Sequence, residues 1–189
     1  MRAWGAFTLI ELLVTLSIIA ILIGILLPAM AMVRSRAVKV VCSSNLRQIG
    51  LAIQMFTDDH KGIYPIARAM PSPILTGDSD PSLMEAIGDY IDFSGGHSNP
   101  VYHCPGDDDV FARSGSSYNY KVSLGGKKLE EYWLVRFFGL PESRVWVSQD
   151  FDGGTFDLED GSTIDVPFFH VQRNLLFADG HVGDFSLRQ

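Results

Sequence analysis

From Ala6 to Val33 the chain offers no polar face: 22 of these 28 side chains are apolar and Glu11 carries the only charge. As a helix the run reaches roughly 42 Å, more than a hydrocarbon core of about 30 Å requires. It is longer than the apolar region of about 7–15 residues in a secretory signal, and a soluble core helix would keep a polar side. The run is therefore read as a membrane-embedded helix. Beyond it, Val33, Ala37, Val40, Val41, Ile49, Ile53 and Phe56 recur at three- and four-residue steps. That spacing predicts an amphipathic continuation over 34–57, stopped by Gly62 and Pro65, in one helix of about 50 residues, near 75 Å.

After Pro65 the sequence is rich in Gly, Pro, Ser and Asp up to Pro100, with one helix-like island at Pro81–Ile91. Pro71–Pro81 is expected to be the most mobile part. Strand-like runs follow at Ser117–Ser123, Glu131–Phe138, Arg144–Phe151 and Ile164–His170. A final hairpin joins Asn174–Phe177 to Val182–Phe185 through an Asp179-Gly180 turn. The expected class is α+β, a long N-terminal helix packed on a small antiparallel sheet. Its segments are 1–6, the apolar rod 7–33, the neck 34–57 and the head 58–189.

Charge sharpens this division. The net charge of −7 argues against a nucleic-acid binder. Arg34, Arg36, Lys39 and Arg47 make the neck basic, while the head holds 21 acids against 10 bases. The neck's cations face anionic lipid, the acidic heads or plain solvent. The two cysteines fit no zinc framework, and the sequence carries no Gly-x-Ser-x-Gly elbow, phosphate-binding glycine loop or His-Glu-x-x-His pair, so no enzyme is expected. His103 beside Cys104 is a weak metal candidate. The run Asp150–Gly161 offers Asp150, Asp152 and Asp157 as oxygen ligands for calcium. It departs from the EF-hand pattern at Gly154, Thr155 and Gly161, and a solvated acidic hairpin is the competing reading. No other cofactor is expected. Glu11 stands apart, because an acid at membrane depth costs about 2.5–3.5 kcal/mol on insertion scales. A plain anchor gains nothing from it, and the nearest cation to pair with it is an α-amino group.

A short leader holding Arg2, then Phe7-Thr-Leu-Ile-Glu11 and an unbroken apolar helix, resembles the N-terminal signature of type IV pilins and type II secretion pseudopilins. The resemblance implies that a prepilin peptidase cuts between Ala6 and Phe7 and methylates the new terminus. The family usually has Gly before the cut, whereas here Ala6 stands there with Gly5 one place earlier; a cut after Gly5 would shift the register of Glu11 by one. With the first cut, Glu11 is the fifth mature residue, placed to neutralise a neighbouring subunit's amine at one axial offset. Pro28 becomes the twenty-second, where a missing N–H permits a bend, local melting or a simple kink. The implied partners are other copies and related pilin-like subunits, the peptidase, the inner-membrane assembly machinery and the lipid bilayer. The implied location is the bacterial inner membrane, N-terminus in the cytoplasm and head outside, although the basic neck alone argues for the reverse by the positive-inside rule.

Cys42-Ser-Ser-Asn-Leu-Arg-Gln48, with the later Tyr64-Pro65, resembles a subgroup of prepilin-like proteins. His170 followed by Asp179-Gly180 resembles that subgroup's C-terminal signature, with eight intervening residues where the signature has nine. No chemistry is assigned to it. A head outside the inner membrane allows a Cys42–Cys104 disulfide tying the neck to the Cys104-Pro-Gly-Asp107 loop, worth about 4 kcal/mol; two free buried thiols are the alternative. The resulting expectation is a structural subunit of a pilus-like or pseudopilus filament, the rival being a membrane-tethered extracytoplasmic binding module that does not polymerise.

Overall fold

Helix α1 spans Leu9–Asp59 and carries the apolar run without interruption, Pro28 included. The computed structural model describes residues 8–71, 79–91, 99–107, 109–151, 153–157, 161–166, 168–170 and 172–184, with Phe156, Asp157 and Ile164 described by backbone alone. The chain divides into two compact units, Met1–Ala37 and Val38–Gln189. In the first, Thr15 and Ser17 donate their hydroxyls to the carbonyls of Leu12 (2.9 Å) and Leu13 (2.8 Å). Both polar side chains are thus satisfied within the helix, as lipid surroundings demand. The backbone stays helical through Pro28, so the local melting that its missing N–H permits is not present.

In the second unit α1 turns one stripe inward, where Cys42, Leu46, Ile49 and Ile53 are buried together with Asn45 and Ala52. Val40 and Val41, expected on that stripe, lie 67% and 43% exposed. Val38 is half-buried against the core, full burial begins at Cys42, and the two valines fall to the side of the face that continues from it. Against the stripe stands a four-stranded antiparallel sheet in the order β1 (Tyr118–Tyr120), β2 (Trp146–Asp150), β5 (Leu175–Phe177), β6 (Val182–Gly183). Leu176 pairs with both Ser148 and Val182 and sits beneath Gly50. A Cβ added at Gly50 would meet Leu176 Cδ1 at 2.7 Å. Gly50→Val is therefore expected to overpack this contact and lower stability by about 1–3 kcal/mol, read as a lower thermal midpoint of the full chain in detergent; an unchanged midpoint would refute the contact.

Two short elements follow local rules legible in the sequence. Helix α2 (Leu83–Ala86) starts from a capping box, Ser82 N–H to Glu85 Oε2 at 2.6 Å and Glu85 N–H to Ser82 Oγ at 3.2 Å. It lies inside the expected helical island. The closing hairpin forms as read, with Leu175 opposite Gly183, Leu176 opposite Val182, and the Gly180 N–H donating to Phe177 O across the turn. A second, two-stranded sheet pairs β3 (Gly154–Asp157) with β4 (Thr163–Val166), which takes in only part of the acidic run; Asp150 instead ends β2 and is buried, not solvated. Most of Pro71–Pro81 lies outside the described residues.

Two strand expectations fail. Glu131–Phe138 is not extended: a 3₁₀ turn at Leu129–Glu131 leads into helix α4 (Trp133–Phe138), which ends at Gly139 in the left-handed conformation. The run Tyr132-Trp-Leu-Val-Arg-Phe-Phe138 is nearly continuous in apolar residues, so it has no two-residue period. Its β-branched and aromatic content misleads, and the Glu131 carboxylate accepting from Lys128 N–H helps to set the turn instead (3.2 Å). Ile164–His170 is strand only as far as Val166, because Pro167 has no N–H to extend a ladder.

Tyrosines fill much of the core. Tyr64, Tyr102, Tyr118 and Tyr120 are all buried. Burial raises each phenol above its usual value, Tyr64 to about 12 with a further push from the Glu142 charge. The unfolded chain ionises these groups from about pH 10, while the folded chain holds their protons to higher pH. Stability is thus complete below about pH 10 and declines above it, for Tyr64 up to about pH 12. Each group adds a slope of at most about 1.4 kcal/mol per pH unit. Urea midpoints at pH 8 and pH 11 should differ clearly, and equal midpoints would remove the tyrosines from this role.

Candidate functional site

The helix start is built from residues 8–12. Thr8 donates its backbone N–H and its hydroxyl to Glu11 Oε2, both at 2.8 Å, and Glu11 N–H returns to Thr8 Oγ1 at 3.3 Å. Leu12 N–H closes the first turn on Thr8 O. This is a capping box, so Glu11 meets donors of its own chain before any partner arrives. The signal is present in the sequence as Thr-x-x-Glu ahead of an apolar run, and the acid at membrane depth masks it by pointing first to a cation. Ala6 and Phe7 lie outside the described residues. Pro28 sits within the helix, nineteen residues beyond its start at Leu9.

The head has its own chemical centre. Cys42 and Cys104 form a disulfide with a Cα–Cα distance of 5.1 Å, both residues fully buried. Around Cys104, the loop is fixed by its N–H donating to Ser117 Oγ (2.9 Å) and by Ser117 donating to Asp107 Oδ2 (2.6 Å). Asp107 also accepts the N–H groups of Asp109, Val110 and Phe111, which starts helix α3 (Val110–Ser114). The histidine at the disulfide is His170, whose Nε2 lies 3.3 Å from Cys104 Sγ. The sequence neighbour His103 turns away, with its Nε2 against Asp107 O at 3.1 Å and its ring against Phe111.

Asp150 also belongs to this centre. It is fully buried, accepts both N–H and Nδ2 of Asn174 at 2.8 Å, and places Oδ2 3.4 Å from the same His170 Nε2. Of the other two calcium candidates, Asp152 lies outside the described residues, and for Asp157 only the β3 backbone is described. Among the described residues, Cys42, Cys104 and His170 are the one group of three or more metal-ligating side chains whose donor atoms lie close together, within 4.8 Å of one another. No sequence spacing announces this group, since its members are brought together from α1 and two loops.

Asp179 and Gly180 are placed away from His170, in the turn between β5 and β6. Asp179 Oδ1 accepts His181 N–H at 3.2 Å and contacts His181 Nδ1, and the imidazole stacks on Phe177 with ring centres 4.4 Å apart. The turn borders an open groove of about 1060 Å³, where Lys39, Arg47 and Arg144 face Asp179, His181 and Asp184. None of the three cations forms an ion pair with a described residue.

The prokaryotic N-terminal methylation motif matches residues 5–27. The match covers the Ala6–Phe7 junction, the Thr8–Glu11 capping box and the greater part of the apolar run, and stops before Pro28. No curated protein and no solved structure matches the chain.

Proposed function

With that methylation motif as premise, we propose that the chain is a prepilin-like structural subunit that assembles through its N-terminal helix into a type IV pilus-like or type II secretion pseudopilus filament. Prepilin peptidase removes residues 1–6 and methylates the amine of Phe7. The apolar part of α1 holds the chain in the inner membrane, with its N-terminus in the cytoplasm and its head outside, and later packs in the filament beside other copies or related subunits. The observation that carries this reading is the motif at residues 5–27 lying on a helix long and apolar enough to cross a membrane. The Cys42–Cys104 disulfide supports an extracytoplasmic head, because oxidising compartments preserve such links.

Glu11 would set the register. An ion pair in a low-dielectric setting adds little net stability but discriminates strongly between offsets. A neighbour's methylated amine would replace the Thr8 donors at the carboxylate, or add to them. The decisive measurement is intact mass with N-terminal sequencing of the protein purified from membranes. N-methyl-Phe at residue 7 is expected. A chain still beginning at Met1 would overturn the prepilin reading in favour of a tethered binding module.

A further inference from the structure

A disulfide needs neither an imidazole nor a carboxylate beside it, yet the head buries both there. His170 and Asp150 have side chains 2% and 0% exposed, and burying a carboxylate is costly unless it is well compensated. The same nitrogen, His170 Nε2, faces Cys104 Sγ at 3.3 Å and Asp150 Oδ2 at 3.4 Å, and the donor atoms of Cys42, Cys104 and His170 lie within 4.8 Å of one another. With Zn–S near 2.3 Å and Zn–N or Zn–O near 2.0–2.2 Å, the ligand-to-ligand edges of a tetrahedral zinc site are about 3.3–3.8 Å. Both measured contacts of Nε2 fall at such an edge.

We propose that the reduced head binds one Zn²⁺ through Cys42, Cys104, His170 and Asp150, so that the disulfide and the metal are alternative staples at one position. A dithiol reductant gives two electrons and two protons to the Cys42–Cys104 bond and becomes a disulfide itself. Zn²⁺ then displaces the two thiol protons to water and takes both thiolates, the neutral imidazole and the ionised carboxylate. Asn174 holds Asp150 by two donors at 2.8 Å, the outer-shell support that fixes a ligating carboxylate. Thiolates with one imidazole and one carboxylate in a closed, buried site suit zinc rather than calcium or magnesium. Either staple closes the same loop between α1 and Cys104, so the head keeps its tie in reducing as well as oxidising surroundings.

The test uses the full chain in detergent, oxidised or reduced with a phosphine, titrated with Zn²⁺ against a chromophoric chelator. The reduced chain should take up one equivalent, the oxidised chain should bind at least about 100-fold more weakly, and Co²⁺ should give a thiolate charge-transfer band only after reduction. In the reduced protein His170→Gln and Asp150→Asn should each weaken binding about 10–100-fold. Zn²⁺ should raise the thermal midpoint of the reduced chain alone. If reduction by itself unfolds the head, recovery of near-ultraviolet circular dichroism with one equivalent of Zn²⁺ supports the site, and failure to recover overturns it. Equal uptake by both redox forms, no uptake by the reduced form, or wild-type affinity in either ligand variant also overturns it.

Discussion

Glu11→Val is expected to give a membrane-inserted chain with a normally folded head whose incorporation into filaments falls at least tenfold. Insertion itself should improve, because the substitution removes an acid costing about 2.5–3.5 kcal/mol at membrane depth. The head is untouched, since Glu11 lies in the first compact unit and its described partner is Thr8. Valine, however, removes two things at once, the charge and the acceptor of the capping box. Glu11→Gln separates them, for glutamine still accepts from Thr8 N–H but carries no charge. If pairing with a neighbour's amine sets the register, Glu11→Gln should fail as Glu11→Val does. Incorporation of the glutamine variant at wild-type level would assign Glu11 to helix capping alone. Counting labelled subunits in sheared filaments, with total membrane protein as reference, reads both variants.

The double substitution Cys42→Ser, Cys104→Ser should lower head stability by about 4 kcal/mol, the chain-entropy value for a loop of this length. For a unit of this size that corresponds to a fall in thermal midpoint of about 8–16 °C. The loss should be local before it is global. Cys104 ties down a loop otherwise held by Ser117 and Asp107, so limited proteolysis should cut between Tyr102 and Asp109 in the variant well before it cuts the sheet. A midpoint within 2 °C of the wild type, about the precision of such a melt, would mean that these buried contacts hold the loop without the bond.

How much of this was legible follows from the range of each interaction. The rod, the neck helix and the closing hairpin rest on periods and turn residues within a few positions, and they emerged from the sequence. So did the site of the methylation motif, a contiguous stretch. The strand assigned to Glu131–Phe138 failed because an apolar run without period is decided by its ends, here Glu131 and Gly139, rather than by its middle. The capping role of Glu11 is written in Thr8-x-x-Glu11, but the same acid at membrane depth points first to a cation. The Cys104–His170–Asp150 contact was beyond reach, because it joins positions 66 residues apart across the disulfide centre with no local pattern to mark them. His103, the weak metal candidate beside Cys104, shows the same limit, since its ring is held by Asp107 O and Phe111 rather than by the disulfide.

The position of the disulfide bears on mechanics. Cys42 is the first fully buried residue along α1, ahead of Leu46, Ile49 and Ile53. Tension applied through the rod therefore reaches a covalent bond before it reaches any of the apolar contacts behind it. Without that bond, the helix would peel from the sheet one turn at a time, each turn yielding separately. With it, the load passes straight into the loop at Cys104 and through Ser117 to the edge of β1, and the packed turns beyond are shielded from shear. Placed at Ile53 instead, the same bond would leave three helical turns free to peel first.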